Sequence, residues 1–175
     1  MFDITSKLKL ASILALVTIF AFAGNIAIAN SSGDGIENVV ISLNTDPTKD
    51  PEPACVALQI GMNLLMSDLN NDEIDDVVPA DDVTLFLTTG GVELVNPHNS
   101  IYNRTKPKPV CTTPGGVNTA SLQALLQGFK MRGGKVMICP LCANSRGITE
   151  PTAGEPGTST DIHNLFLYAD KVITF

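Results

Sequence analysis

The sequence has no tryptophan, two tyrosines and two histidines, and it lacks any run of basic residues. Each absence excludes something. Eleven Lys and Arg face eighteen Asp and Glu, giving a net charge of −7. The cations are scattered, apart from Arg104, Lys106 and Lys108 in a Pro-rich stretch that reads as an extended loop. Nucleic acid is thereby excluded as a partner, because neutralising phosphates needs a clustered basic face. Neither His98 nor His163 adjoins the one Cys-x-x-Cys, so zinc-ligand spacing is missing and no metal or cofactor is expected. Gly90-Gly91 and Gly115-Gly116 do not have the spacing of a phosphate loop. Asp68-Leu69-Asn70-Asn71-Asp72 opens like a calcium loop, but Glu73 and Pro79 stand where that loop needs Gly and Glu. It reads as a solvated acidic turn.

Long apolar runs are confined to the start of the chain. Lys7 and Lys9 precede an almost unbroken apolar run from Leu10 to Phe22, and Ala27-Ile28-Ala29 supplies the small residues of a cleavage site. Residues 1–29 are therefore expected to be a signal peptide removed before Asn30. The alternative, an uncleaved anchor, calls for about 20 apolar residues, more than this run provides. The expected mature chain, 30–175, is one periplasmic or secreted domain with no stable membrane anchor. Asn30-Ser31-Ser32 and Asn103-Arg104-Thr105 fit the glycosylation pattern, which matters only in a eukaryotic host.

Export changes how Cys55, Cys111, Cys139 and Cys142 are read. Outside the cytosol thiols oxidise readily, and four cysteines allow three fully paired connectivities. A domain this long has enough core to fold without them.

Strands and helices alternate along the rest of the chain. Asn38–Asn44, Val83–Thr88, Lys135–Cys139 and Lys171–Phe175 are short apolar runs bounded by turn residues, as buried strands are. Apolar residues at helical spacing mark a helix from Pro53 to Leu69. A second carries Leu122, Leu125, Leu126 and Phe129 behind Asn118 as N-cap and ends at Gly133-Gly134. A brief helical segment covers Val92–Val95, a short helix runs from Pro140 to Gly147, and a last one lies near Asp161–Tyr168. Asn96–Gly116 reads as a long loop, Thr149–Ser159 as a second irregular stretch, and Asp161 as a helix N-cap. This alternation predicts an α/β fold around a parallel sheet of four to five strands. Sites in such folds form beyond the carboxyl ends of the strands, and all four cysteines map to that edge.

Cys139 ends a strand directly before a helix opened by Pro140. Free backbone N–H groups there are expected to favour its thiolate. Cys142, one helical turn on, is placed to act as the second thiol. Arg146, at the end of that helix, serves its dipole and is a candidate for attracting an anionic sulfur species. His98, in the long loop at the same edge, is a candidate base.

The segment Val136-Met137-Ile138-Cys139 with Arg146-Gly147-Ile148 resembles the DsrE/DsrF-like family, which includes the sulfur-relay subunit TusD. Ala54 to Leu65, Val83–Thr88 with Gly91-Val92, and the closing Ala169–Phe175 extend the resemblance over most of the expected mature chain. The resemblance implies a flavodoxin-like three-layer fold and assembly as a homo-trimer or hexamer. It also implies persulfide chemistry on the cysteine matching Cys139. The expected function is that of an exported persulfide carrier or accessory sulfurtransferase, working with a sulfane-sulfur donor or a thiol partner protein. Without such a donor the same pair would run thiol–disulfide exchange. The competing expectation is a non-catalytic oligomeric scaffold with structural disulfides.

Overall fold

The structure is a computed structural model that describes residues 37–67, 78–99, 101 and 108–175. The expected leader, the calcium-like segment 68–72, both glycosylation patterns, Arg104 and Lys106 lie outside the described residues. Among the described residues no helix is long and apolar enough to cross a membrane.

Five parallel strands form the main sheet. β1 (Asn38–Leu43) lies between β2 (Asp82–Leu87) and β7 (Lys171–Thr174), and β2 continues to β5 (Lys135–Ile138) and β6 (Glu155–Pro156). β1 and β2 are nearly all buried, as expected of strands covered on both faces. Their period of two divides the faces. Val39, Ile41, Leu43, Val83, Leu85 and Leu87 point into the main core with α1 (Glu52–Leu64) and α2 (Leu122–Met131). Phe86 points the other way, stacking edge-on against Phe166 of α4 (Ser159–Leu167), with ring centroids 5.3 Å apart. The result is the expected α/β architecture, flavodoxin-like in its three layers.

The fully buried Phe129 side chain locks α1 to α2. A Cβ on Gly61 of α1 would lie 2.8 Å from its ring, and one on Gly134 only 2.4 Å from it. Both glycines therefore make room for one aromatic ring. α1 ends at Leu64, short of the expected Leu69, where Ala80 N–H takes the Leu64 carbonyl.

Two caps differ from the expectation. Ser121, not Asn118, caps α2, its hydroxyl accepting from Ala124 N–H. Asn118 sits at φ 52° inside a strand. Thr158, not Asp161, caps α4, and Asp161 closes a capping box by accepting from Thr158 N–H. In both cases several polar residues precede the helix, and composition alone does not choose among them.

The expected long loop holds a hairpin, β3 (Cys111–Thr113) with β4 (Gly116–Ala120). β4 is exposed and carries no hydrophobic alternation, so no strand pattern marks it. Other ties hold it. Cys111 forms a disulfide with Cys55 in the first turn of α1, Gln59 Nε2 donates to Thr112 O at 2.9 Å, and the Thr113 and Thr119 hydroxyls lie 2.6 Å apart. β6 also lacked a sequence signal, being two residues that include a proline. It is fixed by backbone bonds from Thr152 N–H to Val95 O and from Gly157 N–H to Ile138 O.

The disulfide joins residues separated by 56 positions. Closing a loop of that length in the unfolded chain corresponds to about 4 kcal/mol on the chain-entropy account. The double variant Cys55→Ser/Cys111→Ser is expected to lose stability on that order in denaturant titration. An unchanged midpoint would show that the hairpin does not depend on the bridge.

Candidate functional site

The site begins with a clamp between two strand ends. Beyond β2 the chain turns through Thr88-Thr89-Gly90 into a 3-10 helix, Gly91–Val95. The turn is tied to the end of β1: Thr88 N–H donates to Leu43 O at 3.1 Å and Gly90 N–H to Asn44 O at 3.0 Å. A Cβ on Gly91 would stand 2.0 Å from the Leu43 carbonyl oxygen. Gly90-Gly91 thus allows the turn to pack against the end of β1.

Thr89 takes a positive φ of 45°. For a β-branched residue that conformation costs about 1–3 kcal/mol and persists only where the surroundings impose it. Here every polar group of Thr89 is engaged. Its hydroxyl donates to Asn44 O at 2.6 Å, its carbonyl accepts from Arg146 Nε at 2.9 Å, and its N–H donates to Cys142 Sγ at 3.2 Å.

Cys142 comes from the segment that follows β5. Cys139 N–H donates to Leu87 O at 2.9 Å, extending the β5–β2 pairing to the end of the strand. Cys139 is then the N-cap of α3 (Pro140–Ser145), and Cys142 lies in its first turn. The helix closes in a Schellman motif: Ile148 N–H bonds Ala143 O and Gly147 N–H bonds Asn144 O, with Gly147 at φ 67°. Each residue of Arg146-Gly147-Ile148 therefore has a task. Gly147 supplies the left-handed turn, Ile148 packs into the core with Ala143, and Arg146 reaches the Thr89 carbonyl. Glu93 Oε1 lies 3.9 Å from Arg146 Nη1.

The two sulfurs, both free thiols and both partly exposed, lie 2.7 Å apart. Thr88 Oγ1 is 3.5 Å from Cys142 Sγ. Burial alone would raise the Cys142 thiol, but hydrogen bonds from Cys139, the Thr88 hydroxyl and Thr89 N–H, with the Arg146 charge, bring it below the ordinary 9.0. Cys139 moves the other way: burial and the neighbouring Cys142 sulfur push it up, against the opposing bonds from Cys142 N–H and Thr88. This reverses the expectation that Cys139 is the sulfur held ionised. The six-residue α3 adds little dipole, Pro140 contributes no N–H, and the donors on the facing loop meet Cys142.

The four cysteines expected to share one edge resolve into two pairs of different character. Cys55 and Cys111 are buried and bonded, whereas Cys139 and Cys142 are partly exposed and carry no disulfide. His98 lies exposed in the loop after the 3-10 helix, its backbone N–H donating to Asn96 Oδ1. It is not among the groups bonded to either sulfur. His163 is exposed on α4. Among the described residues no group of three or more His, Cys, Asp or Glu could hold a metal ion. Thr88 and Thr89 went unnoticed in the sequence, because backbone donors and hydroxyls carry no motif of their own.

The family model of the DsrE/DsrF-like family matches residues 38–175. The chain belongs to that family. Among solved structures, six chains match. One is the crystal structure of the ychN protein from E. coli, 25% identical, with a TM-score of 0.55, covering 79% of this chain and 99% of its own. No curated protein matches. The matched region takes in all the described strands and helices and both cysteine pairs.

The two sulfurs are expected to ionise in separate steps, because the first charge opposes the second. Thiolate absorbance should show one step below pH 9.0, from Cys142, and one above it, from Cys139. Cys142→Ser is expected to abolish the lower step. A single step near 9.0 in the unsubstituted protein would contradict this electrostatic account.

Proposed function

We propose that this protein is an exported sulfur-handling carrier, a persulfide carrier or accessory sulfurtransferase working through the Cys139–Cys142 pair. The observation that carries the reading is an unbridged, partly exposed cysteine pair, sulfurs 2.7 Å apart, at the carboxyl end of β5 in a DsrE/DsrF-like chain. One thiol takes a sulfane sulfur as a persulfide. The other either leaves it for an acceptor or displaces it as sulfide, forming a disulfide.

Export is supported by the Cys55–Cys111 disulfide, since such bonds persist in oxidising compartments, and by the signal-like residues 1–29. A thiol partner protein is favoured by Leu141, which stands 79% exposed between the two cysteines. Assembly as a homo-trimer or hexamer is supported by a strip of exposed apolar residues, Phe166, Leu167, Tyr168 and Val172, on α4 and the edge strand β7. The scaffold reading accounts for the buried disulfide but gives the free pair no role.

Intact mass after polysulfide treatment tests the carrier reading. The unsubstituted protein is expected to gain a sulfur atom or to lose two hydrogens with release of sulfide, and Cys139→Ser/Cys142→Ser to do neither. An unchanged mass in the unsubstituted protein would leave only the scaffold. For assembly, light scattering should show an oligomer that Val172→Lys reduces to monomer, and a monomeric unsubstituted protein would remove that part of the proposal.

A further inference from the structure

We propose that Cys142, rather than the family-matched Cys139, is the sulfur that attacks first, cradled by the Thr89 backbone N–H and the Thr88 hydroxyl, and that Arg146 is the residue positioning that cradle. The inference rests on the sulfur-handling reading and assigns roles within its site.

Geometry separates the two sulfurs. Cys142 Sγ receives Thr89 N–H at 3.2 Å and has the Thr88 hydroxyl at 3.5 Å. Both donors come from a turn whose backbone is bonded to Leu43 and Asn44 of the neighbouring strand end, so they are in place before any charge develops. An ionised sulfur has no proton to give, so the Thr88 hydroxyl must donate to it. Cys139 shares this network through the Thr88 hydroxyl and Cys142 N–H, but the Thr89 N–H is bonded to Cys142.

Arg146 acts through Thr89. Its Nε holds the Thr89 carbonyl at 2.9 Å, Glu93 lies beside its Nη1, and the Schellman closure fixes where its side chain starts. Releasing that carbonyl would free Thr89 to leave its strained φ of 45° and swing its N–H away from Cys142. Arg146 thereby supplies orientation as well as charge, a role separate from the helix-dipole and anion-attracting ones read from the sequence.

The chemical sequence balances. The Cys142 thiolate attacks the outer sulfur of a persulfide or polysulfide donor; that donor's S–S bond breaks, and its thiolate leaves with the electron pair. A persulfide remains on Cys142. The Cys139 sulfur then attacks the inner sulfur, forming the Cys139–Cys142 disulfide. The outer sulfur departs with the bonding pair and the Cys139 proton, as hydrogen sulfide. Two thiols are oxidised and one sulfane sulfur is reduced, so a dithiol partner must reduce the disulfide before another cycle. If an acceptor thiol attacks the outer sulfur first, the Cys142 thiolate is regenerated directly.

Limiting iodoacetamide labelling followed by peptide mapping tests this without polysulfide. In the unsubstituted protein Cys142 is expected to be labelled about 10-fold or more faster than Cys139 at neutral pH. Faster labelling of Cys139 overturns the assignment. Thr88→Val and Arg146→Met, checked for unchanged melting, are expected to raise the pH midpoint of Cys142 labelling. Arg146→Lys should restore it only in part, because a lysine keeps the charge without the planar fork. A midpoint unmoved in Arg146→Met removes the positioning role. With polysulfide, Cys139→Ser should accumulate a stable added sulfur on Cys142 and Cys142→Ser should gain none; the opposite pattern overturns the assignment while leaving the carrier reading intact. An unsubstituted protein that neither gains sulfur nor loses two hydrogens defeats the carrier reading, and labelling order still decides which thiol is the nucleophile.

Discussion

The site depends on the way the turn after β2 is held against the end of β1. Leu43 and Asn44 offer carbonyls that Thr88 N–H, Gly90 N–H and the Thr89 hydroxyl all use. Gly91 permits the contact, since any side chain there would overlap the Leu43 carbonyl. With these three anchors and Arg146 on its carbonyl, Thr89 stays in a backbone region that its branched side chain disfavours. Its N–H then faces outward at the height where α3 presents Cys142. A hydrogen bond to sulfur is weak in itself, and it acquires importance here because its donor cannot turn away and because the acceptor becomes charged.

The connections around the site part to the two faces of the sheet. The connection after β5 stays on the face packed by α1 and α2, as the burial of Ala143 and Ile148 in that core shows. The connection after β6 leads to α4 on the opposite face, where Phe166 meets Phe86. The two connections thus part to opposite faces of the sheet, and Cys139 lies at the carboxyl end of β5 where they separate. The two cysteine pairs differ in character: one ties an exposed hairpin to the first helix, and the other is unbridged and partly exposed.

Much of this could be read along the chain. The four principal strands are runs such as Val39–Leu43 and Val83–Leu87, whose continuous apolar character reflects burial on both faces, and the parallel sheet followed from their alternation with helices. Cys139-Pro140-Leu141-Cys142 and Arg146-Gly147-Ile148 stood out because their spacing is local and each is completed within one short helix. The hairpin at 111–120 did not stand out, since its stability comes from a covalent tie to Cys55 rather than from a pattern in its own residues. Asn118 and Asp161 resembled N-caps because several capping residues cluster before each helix, and the choice among them depends on where the preceding strand or turn releases the chain.

The amino-acid sequence by itself determined the fold class, the belonging of the thiol pair to a strand end, and the family likeness, because each rests on residues close together in the chain. Tertiary structure alone decided which cysteines pair and which sulfur is the more acidic. Those outcomes depend on groups brought together from about fifty positions apart: Cys55 against Cys111, Thr88 and Thr89 against Cys142, and Arg146 against Thr89. A thiol's charge answers to the donors around it in space, and the order of residues along the chain does not list them.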